Sequence, residues 1–143
     1  MDDKHFLKLA IEESRKSRDL DGYFVGAVII KNGRIISKAY GDEKNDKGHA
    51  EELAIKNAIE SINGGIIYTT MEPCSFRPDN RKPCTELIIN SGIRRVVYGI
   101  RDPQIKIKCK GIETLIAAGI EVVHLKELEE ECKRITPSIF PNH

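Results

Sequence analysis

Hydrophobic positions along the chain change their period several times, and those changes divide it into elements. Phe6, Leu7, Ala10, Ile11 and Ser14 recur at helical spacing with Lys and Glu on the other face, which predicts a helix from Asp3 to about Arg18. Asp19 to Gly22 break it. Tyr23 to Ile30 is the longest apolar run; it is far too short to span a bilayer and predicts a strand covered on both faces. Lys31-Asn32-Gly33-Arg34 then predicts a tight hairpin, with Ile35 to Tyr40 as the antiparallel partner. Gly41 to Gly48 is a charged loop. His49 to Ile62 carries Leu53, Ala54, Ala58 and Ile62 on one helical stripe, and Asn63-Gly64-Gly65 stops it. Ile66 to Thr70 is a short buried strand running into Met71-Glu72-Pro73-Cys74.

A loop from Ser75 to Pro83 follows, rich in Arg, Pro and Asn. Thr85 to Ser91 is predicted helical, Arg94 to Ile100 a strand, and Arg101-Asp102-Pro103 its turn. Ile105 to Lys110 alternates weakly, as an edge strand or an extended loop would. Gly111 to Ala118 is a helix, Ile120 to Leu125 a strand, and Lys126 to Ile135 a Glu-rich helix that Pro137 ends. Ser138 to His143 is a loose tail. The order is α-β-β-α-β-α-β-α-β-α. A hairpin comes first, and strands joined through helices then run parallel. The expected architecture is a three-layer α/β/α sandwich around a five-stranded mixed sheet.

Composition narrows the function classes. A chain of 143 residues fits one domain over its full length, and buries enough surface to need no disulfide staples. With 23 basic and 22 acidic residues, it lacks the cationic excess of a nucleic-acid binder. A small local anion site remains compatible with that balance. The polar, acidic start Met1-Asp2-Asp3-Lys4-His5 is unlike a signal peptide, so a cytoplasmic protein with no membrane association is expected. Four cysteines in such a chain are thiols or ligands. Cys109 and Cys132, and His5, His124 and His143, lie in no ligand-like context.

The chemistry concentrates in His49-Ala50-Glu51, Pro73-Cys74 and Cys84. One His and two Cys make the three-ligand set of a catalytic zinc site, which keeps its fourth position for water. Glu51 is two residues past His49 in a first helical turn, so it can act as an acid/base carboxylate beside the metal. Either short motif alone is weak. Together, with a helix and a strand between them, they form the zinc deaminase signature. The loop Phe76 to Lys82 places three cations beside this set. Arg77, Arg81 or Lys82 is therefore a candidate contact for a substrate phosphate or carboxylate.

At these residues the chain resembles the cytidine deaminase superfamily, over about Phe6 to Leu125. The common motif has two residues between the cysteines, whereas this chain has nine, Ser75 to Pro83. The long gap resembles the pyrimidine deaminase domain of riboflavin biosynthesis. So do Val25-Gly26-Ala27-Val28-Ile29 with Asn32-Gly33-Arg34, Glu72-Pro73-Cys74-Ser75, Gly92 to Val97, Asp102-Pro103, and Gly111-Ile112 through Ala118 to Val122.

The resemblance implies hydrolytic release of ammonia from a pyrimidine-type ring, with zinc as the activating metal and Glu51 as proton shuttle. It also implies ring contacts from the backbone near Ala50 and Cys74, and Gly22, at the position of a family substrate contact, joins Phe76 and Asp102 as candidate substrate contacts. It suggests a homodimer or larger assembly. The chain departs from that family where Gly22-Tyr23 replace Asn-Pro, Asp42 or a neighbour replaces a His, Arg81-Lys82-Pro83-Cys84 replaces Thr-Pro-Pro-Cys, and Gln104 replaces Asn. It also ends where the usual reductase domain would begin, so a standalone deaminase is expected. The best specific substrate is the diaminopyrimidine ribotide of riboflavin biosynthesis. Rivals are a cytosine-, cytidine-, dCMP- or guanine-type deaminase, a tRNA or DNA deaminase, and a non-enzymatic zinc module, for which no fourth ligand is evident.

Overall fold

The computed structural model describes residues 2–17, 22–45, 47–77, 80–103 and 109–141. Its elements run α1 (Asp3–Ser14), β1 (Gly26–Lys31), β2 (Arg34–Tyr40), α2 (Ala50–Lys56), β3 (Ile66–Met71), α3 (Cys84–Ser91), β4 (Arg95–Ile100), α4 (Gly111–Ala117), β5 (Glu121–His124) and α5 (Glu129–Arg134). The sheet order is β2-β1-β3-β4-β5. β1 is antiparallel to both β2 and β3, while β3, β4 and β5 run parallel. This is the predicted mixed five-stranded sheet.

Local sequence explains most boundaries. The Asp2 side chain caps α1 by accepting from the His5 amide at 3.0 Å. Asn32 and Gly33 both adopt positive φ, at 53° and 76°, as the tight hairpin between β1 and β2 requires. A bulge follows. Ile29 pairs with Ser37 but Ile30 pairs with Ile35, so the extra residue Ile36 turns inward and is buried.

The apolar run of β1 divides between two cores. Ala27 and Ile29 join Leu53, Ala54, Ile67, Ile88, Val96 and Leu115 beneath α2, α3 and α4. Val28 and Ile30 join Phe6, Leu7, Tyr68, Val97, Leu128 and Cys132 beneath α1 and α5. Alternation along β1 thus feeds both faces, as expected of a strand buried on both sides.

Several boundaries differ from expectation. β1 begins at Gly26, with Tyr23 to Val25 leading in. α2 ends at Lys56 instead of continuing to Ile62. Ile62 is still buried, but Ile59 is 78% exposed, so the apolar stripe marked burial and not helix. His49 precedes α2 as its capping residue, and Cys84 is the first residue of α3. Lys126–Leu128 form a 3-10 turn before α5. The predicted end of α1 at Arg18, Gln104, His143 and all but the last two residues of the edge strand or extended loop expected over Ile105 to Lys110 lie outside the described residues.

Strand directions gather the loops that matter at one edge. Gly26 pairs with Tyr40, Ala27 with Thr69, and Met71 with Ile100. The start of β1 therefore lies beside the ends of β2, β3 and β4. The segments 22–25, 41–45, 47–49, 72–74 and 101–103 all emerge there. The Tyr23 hydroxyl bonds to Asp102 Oδ1 at 3.2 Å, across 79 residues of sequence.

Candidate metal and active site

The end of β3 delivers Cys74, and the starts of α2 and α3 deliver His49 and Cys84. Their donor atoms converge. His49 Nδ1 lies 3.5 Å from Cys74 Sγ and 3.4 Å from Cys84 Sγ, and all three donors fall within 4.8 Å of one another. Ligand bonds of about 2.0–2.1 Å to nitrogen and about 2.3 Å to sulfur give a tetrahedral N···S edge of about 3.6 Å. The two observed separations match that edge, so this nitrogen–sulfur set fits zinc. The other ring nitrogen, Nε2, pairs with the Glu43 carboxylate, which turns Nδ1 toward the sulfurs. Glu43 had no signal in the sequence, because only the folded 41–49 loop sets it against His49.

The charge balance of the donors points the same way. The Cys84 thiol hydrogen-bonds to Cys74 and, against the cost of burial, helps His49 hold the Cys74 pKa down at about 5. Cys84 is pushed up by that same shared proton, by its own burial and by the Glu51 charge. Burial alone would lower the His49 pKa. The hydrogen bonds of Cys74 and Glu43 and the surrounding negative charge override it and raise it to about 10. The cluster thus draws positive charge to the place where a cation would sit.

Glu51 is 4% exposed. Burial drives its pKa up to about 7, with the His49 charge opposing and the Cys74 thiolate assisting. A carboxyl poised near neutrality can both take and return a proton.

Two local bonds join the cysteines across the nine-residue gap. The Cys84 amide donates to Cys74 Sγ at 3.2 Å, and the Thr85 amide to the Cys74 carbonyl at 3.1 Å. On the far side α4 abuts the ligand strand. A Cβ on Gly111 would lie 1.9 Å from the Pro73 carbonyl oxygen, so only glycine allows that approach. Glu72, fully buried, holds the same region. Its carboxylate accepts from Arg101 Nε at 3.2 Å and Nη2 at 3.0 Å, from the Asp102 amide at 3.1 Å and from the Ile112 amide at 3.1 Å. In sequence, nothing distinguished Glu72 from an exposed charge before Pro73.

The predicted substrate contacts divide. Ala50 is fully buried between His49 and Glu51. Phe76 is 56% exposed, Arg81 is half-buried and Lys82 is exposed. Asp102 joins the edge cluster through Tyr23 and Glu72. Arg77 is turned inward: its side chain is 3% exposed and pairs with Glu52 at 2.9 Å. Gly22 packs on the C-terminal segment, where its carbonyl accepts from Thr136 Oγ1 at 2.9 Å and a Cβ would meet Ser138. Tyr23, one residue on, is the one that reaches the 101–103 turn.

Residues 1–100 match the family model described as the cytidine and deoxycytidylate deaminase zinc-binding region. The chain belongs to this family. It is 41% identical over 137 residues to the diaminohydroxyphosphoribosylamino-pyrimidine deaminase of Schizosaccharomyces pombe, covering 92% of this chain and 34% of that protein. It is 40% identical over 143 residues to the riboflavin biosynthesis protein RibD of Aquifex aeolicus, covering 96% of this chain and 38% of that protein. Among solved structures, the diaminohydroxyphosphoribosylaminopyrimidine deaminase/5-amino-6-(5-phosphoribosylamino)uracil reductase from Thermotoga maritima superposes with a TM-score of 0.83 at 35% identity, over 97% of this chain and 41% of that one. The chain therefore spans between a third and two fifths of the length of these relatives. No helix among the described residues is long and apolar enough to cross a membrane.

Proposed function

We propose that this chain is a zinc-dependent hydrolytic deaminase that releases ammonia from an aminated pyrimidine ring, with a diaminohydroxy-phosphoribosylamino-pyrimidine as its substrate. The observation that carries this reading is the convergence of His49 Nδ1 with two thiol sulfurs at 3.5 and 3.4 Å beside the buried Glu51. The names of the S. pombe and T. maritima relatives support the substrate.

In this mechanism His49, Cys74 and Cys84 hold the metal, and zinc, when bound, supplies Lewis-acid activation of water. Glu51 takes a proton from the attacking water as its oxygen bonds to the amine-bearing carbon, and passes that proton to the adjacent ring nitrogen. It then moves the remaining hydroxyl proton to the amine nitrogen as the C–N bond breaks, so the ring gains a carbonyl oxygen and ammonia leaves. Burial raises the affinity of this carboxyl for a proton, to a pKa of about 7 in the metal-free cluster, which suits a group that must both accept and return one. Ala50 lines the wall between His49 and Glu51, Phe76 offers an aromatic face at the mouth, and Arg81 and Lys82 receive the phosphate. Asp102, with Tyr23, shapes the opposite rim.

The thiolate ligands favour a reducing, cytoplasmic setting, and a homodimer or larger assembly belongs to this reading. Ammonia release would be measured on the phosphoribosylamino-diaminopyrimidine, cytidine, dCMP and guanine, with zinc content determined in parallel and mass by light scattering. A preparation that binds no zinc, or a Glu51→Ala variant with undiminished turnover, would refute the proposal.

A further inference from the structure

The three metal donors come from two separate pieces of chain. His49 caps α2, while Cys74 and Cys84 stand at the two ends of the loop 75–83. A two-residue gap would fix the cysteines through the backbone itself. Nine residues form a loop whose closure costs entropy and whose ends can part. The Cys84 and Thr85 amides tie the two cysteines to each other, but neither reaches α2.

Arg77 makes the polar tie to α2. Its Nη1 donates to the Lys82 carbonyl at 3.5 Å, within the loop, and to Glu52 Oε1 at 2.9 Å, across to α2. The same Glu52 oxygen accepts from the His49 backbone amide at 3.3 Å. A single carboxylate oxygen thus joins the loop of the two cysteines to the backbone of the histidine. The pair is mostly withdrawn from water, with the Arg77 side chain 3% and the Glu52 side chain 24% exposed. Attraction between charges is stronger there than at the surface, and removing one partner strands the other. Both bonds leave the same Nη1, whose N–H directions the guanidinium plane fixes, whereas the N–H groups of an ammonium rotate freely.

We propose that Arg77 and Glu52 are a positioning pair that presets the separation of His49 from Cys74 and Cys84, so that the long inter-cysteine loop closes as a zinc cradle. This rests on the zinc-deaminase reading of the site. It assigns Arg77 to assembling the metal site and leaves anion recognition to the loop residues nearer solvent.

The test is a double-mutant cycle on the full chain with Arg77→Met and Glu52→Gln, in which glutamine can still accept from the His49 amide. Zinc affinity is measured by competition with a chromophoric chelator, and the cobalt-substituted protein gives the thiolate–metal absorption bands. Each single variant is expected to bind zinc about 10- to 100-fold more weakly, the range typical for residues that orient metal ligands. The double variant is expected to be no weaker than the worse single one, and Arg77→Lys to recover only part of the loss. KM for phosphorylated and unphosphorylated substrates should move together, and excess zinc should restore kcat. Unchanged zinc affinity with KM raised only for phosphorylated substrates would overturn the proposal, as would strictly additive losses. If Arg77→Met fails to fold by circular dichroism, Arg77→Lys with Glu52→Gln completes the cycle. The chelator readout needs no substrate. Wild-type protein that releases no ammonia from any ring would therefore end the deaminase reading without touching this one.

Discussion

Glu72 offers the sharpest test of how the site region is held. Its two oxygens divide four donors. Oε1 takes Arg101 Nε and the Asp102 amide, while Oε2 takes Arg101 Nη2 and the Ile112 amide. Glu72→Gln keeps the shape but replaces one oxygen with an NH2 group that faces two donors. The buried Ile112 amide then loses its acceptor, at a cost of about 1–3 kcal/mol. The Arg101 contribution must be discounted, because that side chain is 47% exposed and also pairs with Glu113. Such a partly solvated pair is worth about 0–1 kcal/mol. The expected loss is therefore about 1–4 kcal/mol. Glu72→Ala strands both amides and leaves a cavity, so it should cost about 3–5 kcal/mol.

A domain of 143 residues unfolds with an entropy near 0.3 kcal/mol per kelvin, from about 2.1 cal/mol/K per residue. Glu72→Gln should then lower Tm by about 3–13 °C, measured by calorimetry on zinc-loaded protein at neutral pH. Glu72→Ala should lie lower still. A Glu72→Gln variant melting within about 1 °C of wild type would refute the reasoning, since it would mean that the carboxylate organises nothing its amide cannot.

Other consequences are equally open to measurement. Glu51→Gln should lose about 10²–10⁴-fold in ammonia release while retaining zinc, as the removal of a general acid/base predicts; equal loss of metal would instead make Glu51 structural. Chelation should expose a thiolate, because Cys74 has its pKa lowered to about 5 in the metal-free cluster, so alkylation at pH 6.5 should be fast after zinc removal and slow before it. Gly111→Ala should destabilise the protein in proportion to the clash with the Pro73 carbonyl, by about 1–3 kcal/mol in denaturant melts. At Asp3, hydrogen bonds from Arg95 hold the carboxyl below its usual 3.8, so the unfolded chain binds the proton more readily. The stability it adds is complete above about pH 4 and lost as pH falls through the lower folded value, so Asp3→Asn and wild type should differ at pH 7 and converge in acid.

Legibility in the sequence followed the physical origin of each feature. Burial of β1 on both faces could be read because an apolar run has few other uses, and the hairpin could be read because Asn32-Gly33 suits positive φ. The metal donors could be read because two weak motifs at a suggestive spacing reinforce one another. The end of α2 could not, because the stripe through Ile62 reports burial and not backbone conformation. Asn57, Ser61 and Asn63 offer polar side chains that compete with helix, and the Asn63 amide bonds to Ser61 Oγ at 3.3 Å. Glu43, Glu52 and Glu72 were invisible for a common reason. A carboxylate in sequence looks solvated, and only its partners from distant segments reveal it as buried or paired.

Those partners show how tasks divide along the loop from Cys74 to Cys84. Arg77 points inward and pairs with Glu52, whereas Phe76 and Lys82 are exposed and Arg81 is half-buried. Three cations that look alike in sequence therefore differ in what they can give up. An inward cation holds the cradle and cannot be released without stranding Glu52, while an outward one is exchangeable at little cost in stability. Divergence in substrate among proteins of this architecture would then run through positions 76, 81 and 82, and the inward pair would stay fixed. On the proposed roles, metal assembly would fall to the buried Arg77 and substrate choice to the more exposed Phe76, Arg81 and Lys82, so specificity could change without dismantling the zinc site.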